Sequence, residues 1–248
     1  MSTITSIVIT YNEENNISEC IESLKWTNEI IVIDSNSTDR TAELAKKHTD
    51  NIYTTDTLSF SKKRNLALEK TTCDWIIWID ADERVSAELS HEIYDIINHP
   101  SNKYEAYLIN RSSFFINKFI KHCGWYPDYT LRLFKRTAGI RFDDARVHEK
   151  LLYNGKTGKL KNEIIHYTDK DFEHYIKKLN SYTTSSSLDL HEAGKKANIA
   201  DIIFRPVFTF IKMYFLKLGL LDGYTGLIVC TLSSIHVFMK YSKLYFLK

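Results

Sequence analysis

The sequence predicts an α/β protein: a Rossmann-like, mostly parallel sheet flanked by helices, followed by a helical, membrane-associating C-terminal extension. Three observations carry this. Short β-branched runs alternate with helical patterns over the first hundred residues, the signature of parallel βα units. Residues 75–79 (WIIWI) are apolar without interruption, as a strand covered on both faces must be. From Phe204 onward the bases Arg205, Lys212, Lys217, Lys240, Lys243 and Lys248 stand against the single acid Asp222, whereas the whole chain of 248 residues nets only +2. A basic, aromatic tail on a slightly acidic body suggests two jobs for two regions.

The elements follow in order. Residues 4–10 (ITSIVIT) read as a first strand. Residues 15–24 follow with Ile17, Ile21 and Leu24 at helical spacing. Residues 29–33 (EIIVI) form a second buried strand. Thr38 or Asp39 is placed to cap a helix running to about Lys47. Residues 51–54 are a weak third strand and 61–70 a helix. Residues 75–79 are the fourth strand, and 86–98 another helix. Beyond Pro100, residues 104–110, 131–135 and 163–167 are strand candidates, and 171–193 read as a polar helix. The stretch between 131–135 and 163–167 is rich in aromatic and basic residues and weakly periodic. In the tail, residues 223–239 contain no Asp, Glu, Lys or Arg. A spanning helix needs roughly 20 apolar residues, so an amphipathic element lying at a membrane interface fits better. A buried helical pair with exposed lysines accounts for the same pattern.

Composition excludes several classes. A net charge of +2 gives no field for nucleic acid. Cys20, Cys73, Cys123 and Cys230 show neither CxxC pairs nor zinc spacing, which suits reduced thiols in the cytosol. The N-terminus lacks a basic segment followed by a long apolar run, so no signal peptide is expected.

Four polar segments fall just beyond strand ends, where an open α/β sheet binds ligands. Thr10, Tyr11, Asn12, Glu13 and Glu14 follow the first strand and can line a nucleotide pocket, or simply begin a helix. Asp34-Ser35-Asn36-Ser37-Thr38-Asp39 follows the second. The turn explains its hydroxyls but not Asp34, a charge leaving a buried strand. Lys62, Lys63 and Arg64 can offset phosphate charge or form a solvated helix start. Asp80-Ala81-Asp82-Glu83 follows the fourth strand. Three carboxylates within four residues repel one another unless a cation sits among them. Oxygen ligands of this kind suit Mg²⁺ or Mn²⁺ shared with a substrate phosphate.

The order T-Y-N-E-E, I-D-S-N-S-T-D, K-R-N-L-A and W-I-I-W-I-D-A-D-E resembles the family 2 glycosyltransferases over roughly residues 4–90. That resemblance implies a GT-A fold, a UDP-sugar donor, a divalent metal (Mg²⁺ or Mn²⁺) and inversion at the anomeric carbon. It places Asp34 on the nucleobase, Asp80 by the ribose and the metal, Ala81 in the nucleotide-sugar site, and Asp82 on the metal. Gly124-Trp125-Tyr126-Pro127-Asp128, residues 131–136 (LRLFKR), Val147-His148-Glu149, His166-Tyr167 and the tail glycines Gly219, Gly223 and Gly226 are similar to bacterial lipopolysaccharide core β-1,4-glucosyltransferases. This narrower branch implies a saccharide acceptor on lipid A–core, with the enzyme cytoplasmic and peripheral at the inner face of the inner membrane. The expected division is residues 1–100 for the donor, 101–200 for the acceptor and catalysis, and 201–248 for the extension.

An inverting transfer needs a general base. Asp128, ahead of Leu131 and Arg132, and Glu149, after His148, are the alternatives. Pro127 stands where many family 2 enzymes carry an acid. His148 or His166 can complete a metal site, with His148 preferred. Arg132, Lys135 and Arg136 can bind phosphate or line a solvated strand edge. Two other classes stay open on residues alone. A haloacid-dehalogenase-type phosphatase carries Asp-x-Asp after a hydrophobic strand, though usually the first. A non-catalytic, membrane-associated sugar-nucleotide-binding module needs no base. A nucleotidyltransferase or dehydrogenase would need a glycine-rich loop after strand one, and none is there.

Overall fold

The first hundred residues form βα units because their apolar runs alternate with capped, polar-faced helices. In order these are β1 (Ile4–Thr10), α1 (Ile17–Glu22), β2 (Glu29–Asp34), α2 (Thr41–Ala45), β3 (Ile52–Thr54), α3 (Phe60–Lys70), β4 (Trp75–Asp80), β5 (Glu83–Val85) and α4 (Ala87–Asn98). The computed structural model describes residues 1–55, 60–99, 102–142, 151–169 and 171–247, with the side chains of residues 60, 61 and 151 outside that description. Then come β6 (Ala106–Phe115), β7 (Lys118–Phe119), β8 (Tyr129–Lys135), β9 (Arg141–Phe142), β10 (Leu151–Leu152) and β11 (Thr157–Asp169).

Among the described residues the main sheet runs β3-β2-β1-β4-β8-β6-β11-β5, with β7 paired to β6. Its β3-β2-β1-β4 part is parallel. From β8 onward the pairings change hand: β8 is antiparallel to both β4 and β6, and β5 to β11. The sheet is therefore mixed, parallel across its first four strands and antiparallel at the β4–β8, β8–β6 and β11–β5 pairings. Ile7, Val8, Ile33, Ile77 and Ile79 are fully buried, which accounts for the continuous apolar runs.

The helix after β2 starts at Thr41, and neither Thr38 nor Asp39 is its N-cap. Asp39 instead accepts from the Thr41 backbone N–H (3.0 Å) and hydroxyl, and from the Glu14 N–H at 3.2 Å. Its carboxylate ties two loops together, which a cap facing only its own helix cannot do. Ser86 does cap α4, accepting from Leu89 N–H at 3.2 Å.

The chain divides into two compact units, Met1–Arg111 with Tyr129–His166, and Ser112–Asp128 with Tyr167–Lys248. These limits differ from boundaries at 100 and 200. Strands β6, β8 and β11 supply neighbours that the parallel strands need to fill their sheet, so sheet pairing draws later residues into the first unit.

The second unit contains α5 (Phe172–Glu192), α6 (Ile199–Ile211), a π-helical turn (Lys212–Leu216), a 3₁₀ turn (Gly219–Asp222) and α7 (Gly223–Phe246). Phe115, Ile120 and Cys123 share a core with Val229, Cys230 and Leu232. Asp222 is its polar anchor. Its carboxylate accepts from His122 N–H (2.8 Å) and Lys121 N–H (3.4 Å), and its carbonyl accepts from Lys118 Nζ at 2.8 Å. The turn is tight: a Cβ on Gly226 would fall 2.0 Å from the Gly219 carbonyl oxygen.

Candidate active site

Within the first unit, β1, β2 and β4 are adjacent and parallel, so Thr10, Asp34 and Asp80 end side by side. Thr10 is buried, and its hydroxyl has no hydrogen-bond partner among the described residues. Such an atom carries an uncompensated desolvation cost and marks a place where a ligand can donate or accept. Tyr11 is exposed. Asn12 has φ 54° and bridges the two loops: its N–H donates to Ser37 Oγ (2.9 Å) and its Oδ1 accepts from Thr38 N–H (2.8 Å). Glu13 N–H donates to Thr41 Oγ1 at 2.8 Å.

Asp34 is 2% exposed. It accepts from Ser37 N–H (3.0 Å) and Ser37 Oγ (2.5 Å). Two carboxylate oxygens offer about four acceptor positions, so capacity remains for a base or sugar hydroxyl. Of the three cations on α3, Lys63 is buried. Burial lowers its ammonium pKa and the nearby Asp34 carboxylate opposes that shift. Arg64 lies over the rings of Trp78 (5.1 Å) and Phe142 (4.9 Å), a desolvated cation–π arrangement. Its charge also helps to keep Asp80 ionised.

The acidic segment resolves its repulsion through arginine. Arg132 sits on β8, between β4 and β6, and its guanidinium donates to Asp80 Oδ2 (2.8 Å) and Glu83 Oε1 (2.6 Å). Arg111 on β6 approaches the same Glu83 oxygen at 3.4 Å, and Glu83 Oε2 accepts from Asp80 N–H at 2.9 Å. Arg132 is thus not on a solvated strand edge, because β8 lies between β4 and β6. Burial opposes ionisation of Asp80, but Arg132, Arg64 and Arg111 outweigh it and hold that carboxyl well below the usual carboxylate range. Glu83, fully buried, goes the other way: burial raises its pKa, Arg132 opposes, and Asp80 adds to the rise. Ala81 is buried and its carbonyl accepts from Arg84 at 3.0 Å.

Asp82 lies apart from that network, with its Oδ2 3.3 Å from His166 Nε2. His166 Nδ1 is buried and has no partner among the described residues. No group of three His, Cys, Asp or Glu side chains converges among the described residues. A cation shared with a substrate phosphate needs only one or two protein carboxylates, so Asp82 fits that donor set, with His166 beside it. His148 and Glu149 lie outside the described residues. Asp128 belongs to the second unit and directly precedes β8.

Arg111 and Arg84 escaped the reading of the sequence. Arg84 directly follows three acids and reaches Ala81 and Glu83 carbonyls. An arginine abutting an acidic run after a buried strand was the available signal. For Arg111 there was none, since its partner lies 28 residues away.

Comparison with known proteins agrees with this geometry. The model of Glycosyl transferase family 2 matches residues 5–147. A lipopolysaccharide core biosynthesis glycosyltransferase of Rhizobium meliloti, LpsC, is 27% identical, over 98% of this chain and 92% of its own. A Rickettsia typhi protein described as an uncharacterized glycosyltransferase is 27% identical over 98% and 87% of the two chains. Among solved structures, Staphylococcus aureus TarS with UDP-GlcNAc superposes with TM-score 0.50 at 16% identity, covering 95% of this chain and 81% of that one. That likeness supports the fold, a GT-A arrangement of mixed sheet and flanking helices. A phosphatase does not fit a match of this extent to a transferase family. The chain belongs to glycosyl transferase family 2, and it is a glycosyltransferase.

Proposed function

We propose that the protein transfers a hexose, glucose, from a UDP-sugar to a lipid-linked, lipopolysaccharide-core saccharide with inversion of the anomeric centre. One observation carries the donor half. The parallel register of β1, β2 and β4 brings Thr10, Asp34 and Asp80 to one end of the sheet in a family 2 chain. The near full-length similarity to LpsC supports a core saccharide as acceptor.

In this reading Asp34 and Thr10 hold the uracil and ribose, with Tyr11, Asn12, Glu13 and Ala81 shaping the pocket by backbone and loop contacts. Arg64 offsets diphosphate charge. Asp80, held ionised by Arg132, orients the donor. Asp82 would hold a Mg²⁺ or Mn²⁺ ion, with His148 as the further ligand and His166 beside Asp82. A bound divalent ion supplies charge neutralisation for the departing diphosphate. Asp128 or Glu149 takes the proton from the acceptor hydroxyl as its oxygen attacks the anomeric carbon. Incubation with a panel of UDP-sugars and Mn²⁺ or Mg²⁺, followed by UDP assay, tests the reading. Release is expected with UDP-glucose, and no release with any donor would sink it.

The tail gives the cytoplasmic enzyme its peripheral membrane contact. Phe204, Phe208, Phe215, Leu216 and Leu221 are all exposed, and Arg205, Lys212 and Lys217 are interleaved with them. Gly219–Phe246 is long and apolar enough to cross a bilayer by length and composition. The packing favours lying flat. Lys243 Nζ on α7 lies 2.7–2.8 Å from Asn180 O, Asn180 Oδ1, Thr183 Oγ1 and Thr184 Oγ1 of α5, which together accept its three N–H bonds. A span would have to strip α7 from that seat. Co-sedimentation with phosphatidylcholine vesicles should strengthen when phosphatidylglycerol is added, by about 1 kcal/mol for each engaged base. It should weaken with salt and be lost in a Phe204→Ser/Phe208→Ser double variant. Retention by that variant would refute the assignment.

A further inference from the structure

The aromatic and basic stretch before Asp128 belongs to the second unit, which exposes part of it as a surface. Residues 112–126 contain Lys118 and Lys121 and no acid. The β6–β7 hairpin pairs Phe114 with Phe119 around a turn in which Ile116 takes φ 55°, an unfavourable conformation for a β-branched residue. Ile120 N–H closes the hairpin on Ser113 O at 2.9 Å.

Phe114 sits edge-on to two rings, Phe119 at 5.0 Å and Tyr167 at 5.6 Å between centroids. Both outer rings face solvent, Phe119 at 38% and Tyr167 at 39% exposure. Edge-to-face contact fixes rings in place, so the exposed faces are preorganised. Lys121 adds a positioned charge. Its Nζ lies 4.4 Å from the Tyr126 ring centre, 6.0 Å from that of Phe119 and 3.2 Å from Ser112 Oγ.

Fixed aromatic faces present their negative quadrupole outward, which suits the weakly positive C–H face of a pyranose ring. A lysine and a serine hydroxyl beside them suit an anionic substituent. We propose that Phe119, Tyr167 and Lys121 form a subsite for an anionic sugar of the acceptor. This rests on the glycosyltransferase reading and extends it to the second substrate. An uncharged lipid tail would use the rings but leave Lys121 idle. The charge of Lys121 therefore selects the acidic saccharide.

The test uses the full-length protein and saturation-transfer NMR with glucose 6-phosphate, glucuronate and glucose as probes, with UDP in parallel. Saturation of the sugar ring protons is expected with both anionic probes and more weakly with glucose. Phe119→Ala and Tyr167→Leu should each weaken the glucose 6-phosphate signal about fivefold. Lys121→Gln should bring both anionic probes down to the level of glucose. UDP signals should be unchanged in all three variants, which verifies folding, and Phe119→Leu provides a milder version should Phe119→Ala lose UDP binding. The proposal is overturned if the wild type saturates none of the probes. It is equally overturned if the variants bind them like wild type, or if glucose binds as well as the anionic sugars. Failure of the transferase reading would appear separately, as absent UDP binding.

Discussion

Replacing Arg132 by methionine should destabilise the protein by about 3–5 kcal/mol, the range for removing one partner of a buried ion pair. Glu83 is fully buried and Arg132 is its nearest cation, at 2.6 Å. Methionine fills much of the space and offers no donor. The loss should depend on pH. In the wild type Asp80 is depressed, so its contribution is present above the unfolded value of about 4 and lost as pH falls through the folded pKa. Glu83 is raised, so its ionisation costs stability as pH rises through the folded pKa. Without Arg132 the main group depressing both carboxyls is gone and each prefers its proton. The difference between wild type and variant should then grow from about pH 5 to about pH 7.5 in urea denaturation. An equal or larger loss at the acid end would refute the network as described. Arg132→Lys should fall between, because an ammonium keeps the charge but not the position of the single guanidinium nitrogen that reaches both carboxylates.

The second large effect concerns the base. Asp128→Asn or Glu149→Gln should lower turnover by about 10²–10⁴, the usual worth of a positioned proton acceptor, while UDP affinity stays near wild type. The amides keep shape and most hydrogen bonding but cannot take the proton. Single-turnover assays with UDP-glucose and an acceptor, alongside UDP titration, separate the two quantities. Near-normal turnover in both variants would remove both residues from the mechanism.

The strand ends that frame the proposed donor site were legible because their signals are local. A run such as WIIWI declares a strand buried on both faces, and Asp34 and Asp80 stand at strand ends where the chain topology places ligands. What was not legible depends on pairings across the sheet. The charge of Asp80-Ala81-Asp82-Glu83 calls for a cation, and Arg132, 52 residues from Asp80, supplies positive charge to Asp80 and Glu83. Strand β8 follows an irregular aromatic segment, so nothing in its own pattern shows that it lies between β4 and β6. Likewise the helix after β2 starts at Thr41, because Asp39 serves a loop-to-loop contact with Glu14 that spacing along one helix does not reveal.

The way the chain shares itself between its two units bears on how relatives of this enzyme can be recombined. Ser112–Asp128 is grouped with Tyr167–Lys248. Its Lys121 and His122 amides end on Asp222, and Phe115 and Cys123 share a core with Val229 and Cys230. A chimera that exchanged only the C-terminal tail would set a foreign turn against the native 112–128 loop and break those pairings. Exchanging this unit between family members therefore requires moving the two segments together, as one inherited module written in two places along the gene.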